Sequence, residues 1–544
     1  MGISRSSSEL VSLLSFIVLL SFSIGAASIS SSVDDYGDDH FLQCLSVHQF
    51  SNNQVPVYTS KNSSFSTIFQ SSARNLRFLS PKSTKPQFII TPSHESHVQA
   101  AVICCRKHGL DLKVRSGGHD VEGLSYVSDI VPFVMVDLSN FRNITIDVED
   151  SSAWIQAGAS LGEVYYRIGD KSKTLGFPAG LAPTVGVGGH LSGGGIGALV
   201  RKYGLAADQV IDAQIVNVDG KILNRKTMGK DLFWAIRGGG GASFGVILSW
   251  KVKLVPVPPI VTVATIDRTL EQDATNLVYR WQFVADRLDE DLYIGLKLSP
   301  VVSSERGGEK TVQAEFYILF LGRVDKLLQL MEQSFPELGL KSKDCTEMSW
   351  VESHIYFSAP GSPLELLLDR DPASKIFMKA KSDHVKVPIS KDGLEGFWRR
   401  LLQEDMPVML LTPYGGRMSE ISESEIPFPH RVGNIYNILY MVNWFEQSET
   451  EKHIDWMRRL YKYMAPYVSK SPRTAYLNYG DLDLGQNENG EFSYSKARVW
   501  GRKYFKNNFE RLVKVKSEVD PGNFFKNKQS IPPITLNLGK KMQD

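Results

Sequence analysis

The chain has 544 residues, with 61 Lys and Arg against 59 Asp and Glu, a formal net charge of +2 and 42% hydrophobic residues. At about 150 residues per domain, this length predicts at least two packed domains with sizeable cores. Charges of both signs alternate along the chain, which excludes a nucleic-acid binder or a polybasic membrane protein; the ordinary composition excludes disordered, collagenous and disulfide-dense classes.

Residues 1–27 read as a cleaved secretory leader: basic Arg5, an apolar core from Val11 to Ile24, then small residues Gly25, Ala26 and Ala27. No later run of about 18 apolar residues exists, so no stable membrane insertion is expected. A secreted chain can hold disulfides. Its cysteines are Cys44, Cys104, Cys105 and Cys345, and vicinal geometry disfavours a Cys104–Cys105 bond, leaving either of that pair to clip Cys44. No C-x-x-C or paired histidine spacing points to a metal. Asn62 and Asn143 open N-x-S/T sequons, as in a secretory glycoprotein.

Further along, Phe88–Ile90 reads as a strand. Ser93 is positioned to cap a helix with Val98, Ala101, Val102 and Leu110 on its apolar face, and a second strand over Leu112–Val114 ends at Gly117-Gly118, a βαβ-type unit. Strands follow at Phe133–Asp137 and Ala153–Ala157, and a short helix at Leu161–Ile168. The stretch from Gly176 to Gly204 is so glycine-dense that it reads as an irregular loop. Gly238–Gly241 link an aromatic-rich helix to a strand, and the proline-rich Val255–Pro259 marks a domain boundary. Beyond it, strands at Val261–Ile266, Tyr293–Leu298 and Val312–Phe320 alternate with amphipathic helices at Val324–Phe335 and Leu394–Gln403, predicting an α+β domain on an antiparallel sheet with helices on one face. The tail from Tyr494 to Phe525 reads as helical.

Three glycine clusters flanked by apolar elements suit close approach of backbone to a ligand, and consecutive N–H groups there form anion-binding nests. The spacing matches neither G-x-G-x-x-G nor the P-loop. By spacing alone, His119 and His190 read as hydrogen-bonded loop residues.

The segments RSGGHDVEGLSY (Arg115 to Tyr126), FPAGLAPTVGVGGHLSGGGIGALVRKYGLAAD (Phe177 to Asp208), DLFWAIRGGGGASFGVI (Asp231 to Ile247), EIPFPHR, AYLNYGDLDLG and WGRKYFKNNFERLVKVKSEVDPGNFF resemble the plant berberine bridge enzyme-like flavoproteins, in order from Phe41 to Pro533. The resemblance implies an α+β fold of the vanillyl-alcohol-oxidase (PCMH) type. Its divisions are an FAD-binding domain over 41–259, a substrate domain over 260–479 built on an antiparallel sheet with helices on one face, and a C-terminal segment over 480–537 that returns to the FAD domain. It implies FAD bonded covalently to His119 and a Cys44–Cys104 disulfide, with Cys105 and Cys345 free. To the cofactor it assigns Arg115, Ser116, Gly117 and Gly118, with Asp120 and Ser125. In the second loop it adds Ala182, Thr184, Val185, Gly186, Gly188, Gly189, His190, Gly194 and Gly195, and beyond it Val246, Asn478 and Tyr479.

Departures from the family pattern sharpen this reading. Ala182 stands where relatives with a second flavin link carry cysteine, so the flavin is tethered by His119 alone. Val185 stands at the family's oxygen gate, where valine accompanies oxidases; O2 is then the acceptor and H2O2 the product. Tyr479 and Asn437 are the catalytic candidates. On the strand Tyr436–Trp444, Asn437 and Leu439 share a face where relatives carry a polar or acidic group, and Val121 and Ile196 stand where tyrosines are common; with Tyr476 these complete the substrate pocket. Oxidising an alcohol calls for a base, worth about 10²–10⁴-fold, whereas an amine lone pair expels hydride directly. The pocket therefore points to alkaloid-type C–N oxidation or oxidative cyclisation. Carbohydrate or monolignol oxidation is the alternative, followed by a flavin-containing cyclase without net oxidation and a non-catalytic storage or allergen-like protein. The expected setting is a monomer in the secretory pathway (vacuole, ER-derived vesicle or apoplast) that takes a small-molecule substrate and O2.

Overall fold

The computed structural model describes residues 30–48, 54–305, 307–371, 375–487 and 492–534; the expected leader lies outside the described residues. Strands β1 (Val57–Tyr58), β2 (Phe88–Ile90), β3 (Asp111–Arg115) and β4 (Phe133–Asp137) form a sheet in the order β1-β2-β4-β3. The helix between β2 and β3 runs over Glu95–His108 and is capped by His94 rather than Ser93. His94 is extended, with φ −140°, and its Nδ1 accepts the Ser96 N–H at 3.2 Å, the part a serine hydroxyl would play. The expected βαβ unit is also opened up: β4 lies between β2 and β3 and pairs in parallel with both, so the helix crosses over an intervening strand.

The helix Ser30–Val47 is fastened to Glu95–His108 by the Cys44–Cys104 disulfide, with Cα atoms 5.8 Å apart, while Cys105 and Cys345 are free. The bridge closes a 60-residue separation, for which chain entropy gives about 4 kcal/mol. The Cys44→Ala/Cys104→Ala variant is therefore expected to unfold at a clearly lower denaturant midpoint. An unchanged midpoint would show that the bridge adds nothing.

Next come β5 (Ile144–Asp147), β6 (Ser152–Gln156), β7 (Leu175–Gly176), β8 (Val210–Val216), β9 (Ile222–Leu223), β10 (Val246–Lys253) and β11 (Val255–Pro256). Five of them form an antiparallel sheet in the order β5-β6-β10-β8-β9, and β7 pairs with β11 as a short ribbon. The stretch from Gly176 to Gly204 is not wholly irregular, since it holds short helices at Val187–Ser192 and Val200–Tyr203. Glycine is tolerated in the first because the helix lies against β6: a Cβ on Gly188 would stand 2.8 Å from the Ala157 carbonyl oxygen.

The third sheet has seven strands, all antiparallel: β12 (Val261–Thr269), β13 (Leu292–Val302), β14 (Lys310–Phe320), β15 (Cys345–Met348), β16 (Phe377–Val385), β17 (Pro407–Pro413) and β18 (Tyr436–Trp444), in the order β15-β12-β14-β13-β17-β18-β16. Period-two alternation gives it two faces. Leu292, Ile294, Leu296 and Leu298 of β13 enter a core shared with the helices Ala274–Val284, Val324–Ser334, Lys391–Leu401 and Thr450–Met464. Tyr293 and Tyr317 face the opposite way, into the core of the first half, which also takes in Trp500, Tyr504, Phe509 and Leu512 of the two C-terminal helices Tyr494–Phe505 and Asn508–Val519. No helix among the described residues is long and apolar enough to cross a membrane.

Candidate active site

Two glycine loops distant in sequence meet backbone to backbone. A Cβ on Gly117 would stand 2.3 Å from the Gly186 nitrogen, and one on Gly186 would stand 2.2 Å from the Gly117 nitrogen. Gly118 adopts φ +67° and runs against Ser72, whose carbonyl oxygen would lie 1.7 Å from a Cβ there; no other residue fits. Ser116 Oγ donates to the Ala157 carbonyl at 2.6 Å. So wedged, the turn presents His119, whose Nε2 lies 3.1 Å from Thr184 Oγ1 in the second loop. Burial, reinforced by the nearby Arg74 cation, pushes His119 down to about 3. Its imidazole is neutral at ordinary pH, with a ring lone pair free to attack an electrophile.

Beside it, Asp120 accepts the N–H groups of Glu122 and Ser125 at 3.0 and 3.1 Å, and burial pushes its carboxyl up to about 6. Ser125 Oγ is buried with no hydrogen-bond partner among the described residues. Across the gap the Val185 N–H donates to the Ala182 carbonyl at 3.3 Å, closing a turn that leaves Ala182 exposed and Val185 half-buried. A Cβ on Gly189 would meet nothing within 4 Å. Open backbone at Gly189, a neutral histidine and an unsatisfied buried hydroxyl, on loops held together at Gly117 and Gly186, fit a flavin nucleotide.

Other expected residues act as fasteners. The Arg115 guanidinium is buried against Asp137 and donates to the carbonyls of Phe69 and Ile68, so only the backbone of Arg115 faces the loop. His190 Nε2 accepts the Gly180 N–H at 3.1 Å. Asn478 Nδ2 donates to the His190 carbonyl at 2.9 Å and to the Tyr476 hydroxyl at 2.8 Å, and that hydroxyl accepts the Gly195 N–H at 2.8 Å. Asn478 and Tyr476 thus sew the C-terminal segment to the glycine loop at Gly193–Gly195; a Cβ on Gly193 would stand 2.0 Å from Asn478 Oδ1. Gly194 has φ +125° beside Phe428. Val246 is buried in β10 opposite Val216.

On the sheet side, the rings of Tyr476 and Tyr479 meet edge to face at 4.9 Å. Burial, with Tyr293 adding to it, holds the Tyr479 phenol well above its ordinary pKa, so it is a hydrogen-bond donor at neutral pH. Asn437 is committed elsewhere: its amide donates to the Asp383 carbonyl at 3.0 Å and lies 3.4 Å from His384 Nε2. Leu439 and Ile196 are buried but for 9% and 8% of their surface, and Val121 is half-buried with its carbonyl accepting from Asn75.

Sequence reasoning misses the polar group that binds the site together. Lys379 and Lys381 of β16, both buried, meet Glu122 from the loop after His119 and Asp481 and Asp483 from the C-terminal segment; Lys379 also pairs with Asp481 at 2.9 Å and Lys381 with Asp483 at 2.9 Å. Arg458 reaches Asp483 at 2.9 Å. The alternation K-A-K in β16 and D-L-D after Tyr479 is the only local trace of this cluster.

A profile described as "FAD binding domain" matches residues 86–225, and one described as "Berberine and berberine like" matches residues 475–532. A tetrahydroberberine oxidase of Argemone mexicana is 66% identical over 98% of this chain and 97% of its own. The chain belongs to the berberine bridge enzyme-like family. This family member is an FAD-linked oxidoreductase with the PCMH-type fold. A monolignol oxidoreductase of Arabidopsis thaliana is 53% identical to it over 95% of this chain and 96% of that one. Among solved structures, the grass pollen allergen Phl p 4, described as having glucose dehydrogenase activity, is 43% identical with a TM-score of 0.86, covering 91% of this chain and 99% of that one. Its isoleucine-to-valine variant is described as a glucose oxidase, as is a double variant that adds an asparagine-to-histidine exchange five residues on.

Proposed function

We propose that this berberine bridge enzyme-like protein is an oxidase of a polycyclic tertiary amine of the tetrahydroberberine kind, with FAD tethered through His119 alone. The observation that carries the reading is the chemistry around Tyr479. The Asn437 amide is spent on backbone and His384, Leu439 is apolar, and the Tyr479 phenol stays protonated. An alcohol needs a base to take its O–H proton as hydride leaves. A tertiary amine needs none, because its lone pair forms the C=N bond as hydride departs from the adjacent carbon. The cofactor would supply the hydride acceptor and, on reoxidation by O2, hydrogen peroxide. Tyr479 would hold the substrate as a donor, and the open backbone at Gly189, in the loop that Gly186 locks against Gly117, would admit the nucleotide and its ring. Similarity to the tetrahydroberberine oxidase supports the same substrate class.

Anaerobic mixing with a panel tests this: tetrahydroberberine-type amines are expected to bleach the flavin and single-ring alcohols to leave it oxidised. Rapid bleaching by coniferyl alcohol alone would replace the reading with monolignol oxidation, which the Arabidopsis relative favours. Val185 and His190 are also five residues apart and carry the residue types of the Phl p 4 double variant described as an oxidase. Val185→Leu adds one methylene at a half-buried position and is expected to fold. Stopped-flow reoxidation of the reduced variant by O2 is expected to slow by an order of magnitude or more; an unchanged rate removes Val185 from the oxygen path. The sequon residues Asn62 and Asn143 are both exposed, as glycosylation in a secretory route requires.

A further inference from the structure

We propose that Gly295 and Tyr317 form a stacking floor that selects polycyclic aromatic substrates, an inference that rests on the amine-oxidase reading of this site. The two residues are direct cross-strand partners on β13 and β14, on the sheet face turned away from the helices. A Cβ on Gly295 would stand 2.2 Å from Tyr317 Cζ and 2.4 Å from its Cε2 and hydroxyl. The tyrosine ring therefore leans across the neighbouring strand and lies directly over bare backbone. Glycine weakens a strand interior and is kept where something must approach closely; here that something is the ring.

Two neighbours hold the ring in place. Its hydroxyl lies 3.5 Å from that of Tyr293, the Tyr293 ring sits at 5.9 Å, and the Phe357 ring meets it edge on at 6.0 Å. Tyr317 keeps 9% of its surface open. Burial, then Tyr293 and then Tyr479, holds its phenol well above the ordinary range and keeps it uncharged. Lys297, next along this face of β13, is opposite Leu410, and Leu410 is opposite Leu439, so the ring shares its sheet face with Leu439 and Asn437 of β18; Lys297 itself pairs with Glu315 of β14 at 2.9 Å. A flat aromatic ring flanked by the rings of Tyr293 and Phe357 favours a fused-ring ligand by offset stacking, and its π face attracts the cationic nitrogen that amine oxidation creates. A polyol or a single-ring alcohol gains little from either.

KM and kcat are measured on the flavin-loaded protein with a tetracyclic amine, for the wild type, Gly295→Ala, Tyr317→Leu and Tyr317→Phe. Gly295→Ala, which dislodges the ring, and Tyr317→Leu, which removes it, are each expected to raise KM for the tetracyclic amine about tenfold, with kcat changed by less than about twofold. Tyr317→Phe, which restores a ring, is expected to bring KM back. Should Gly295→Ala fail to retain flavin, the leucine and phenylalanine variants decide the matter, because neither adds bulk. Unchanged KM in Tyr317→Leu, or equal losses in the leucine and phenylalanine variants, overturns the floor and leaves the amine reading standing. A wild type bleached only by alcohols overturns the amine reading and the floor with it.

Discussion

Replacing His119 by alanine is expected to convert a flavin that stays with acid-precipitated polypeptide into one that washes out entirely. The variant should still be yellow before acid, because the cradle around Gly117, Gly118 and Gly186 is backbone and survives the substitution. Ala182 has no nucleophile, and the nearest free cysteines, Cys105 and Cys345, are placed elsewhere in the fold, on the Glu95–His108 helix and on β15. Colour retained by the His119→Ala pellet would show a second tether and refute attachment through His119 alone. The protonation state adds a second readout. A histidine of ordinary pKa, about 6.5, would be largely protonated at pH 5 and lose its nucleophilic lone pair. His119 is held down near 3 by burial and by Arg74. Covalent incorporation of added FAD into the apo-protein is therefore expected to proceed at similar rates at pH 5 and pH 7.5, and Arg74→Met to make it more pH-sensitive.

Lys379→Met is expected to be among the most destabilising single changes, about 3–5 kcal/mol, because it leaves Glu122 and Asp481 buried with one cation fewer. The cluster joins the loop after His119, the substrate-side sheet and the segment after Tyr479, so its loss should also loosen the site. The pH dependence has a definite sign. Burial pushes the Asp483 carboxyl up, but the hydrogen bond from Arg458 and the charges of Lys379 and Lys381 outweigh it and hold the group below the usual range. In the wild type this contribution is present above the ordinary carboxylate pKa and is lost as pH falls. Burial would lower Lys379, but Glu122, Asp481 and Asp483 outweigh it and raise the amine, so its contribution persists through neutral pH and fades only above the ordinary lysine range. In the Lys379→Met variant the Asp483 carboxyl loses one of the charges that hold it down, so the variant's deficit should shrink as pH falls below the ordinary carboxylate range. Denaturant titrations of both proteins at pH 7 and pH 3 check this; a deficit independent of pH would show the loss to be one of packing.

Much of the local structure is legible in the chain. Short runs of β-forming residues locate β2 and β4 to the residue; every side chain in both is buried, as in parallel strands covered on two faces, so the signal is composition and not alternation. The helix start is displaced by one residue because a histidine nitrogen can cap as an oxygen does. The glycine clusters mark where loops pack backbone to backbone, as Gly117 against Gly186 and Gly118 against Ser72. Resemblance supplies what spacing cannot, the proposal of a covalent role for His119 and of what Ala182 and Val185 would mean.

The sequence by itself determined most of the element types, the disulfide cysteines as a small set and the family. Only the tertiary structure decided which loops touch and what each side chain is left free to do. That Gly117 meets Gly186, that Arg115, Asn478 and Tyr476 are spent on fastening, that Lys379 finds Glu122 and Asp481, and that Gly295 makes room for Tyr317 are all outcomes of strand register and domain packing. A window of ten residues encodes propensity and periodicity, whereas such pairings are set by the burial of the whole chain at once.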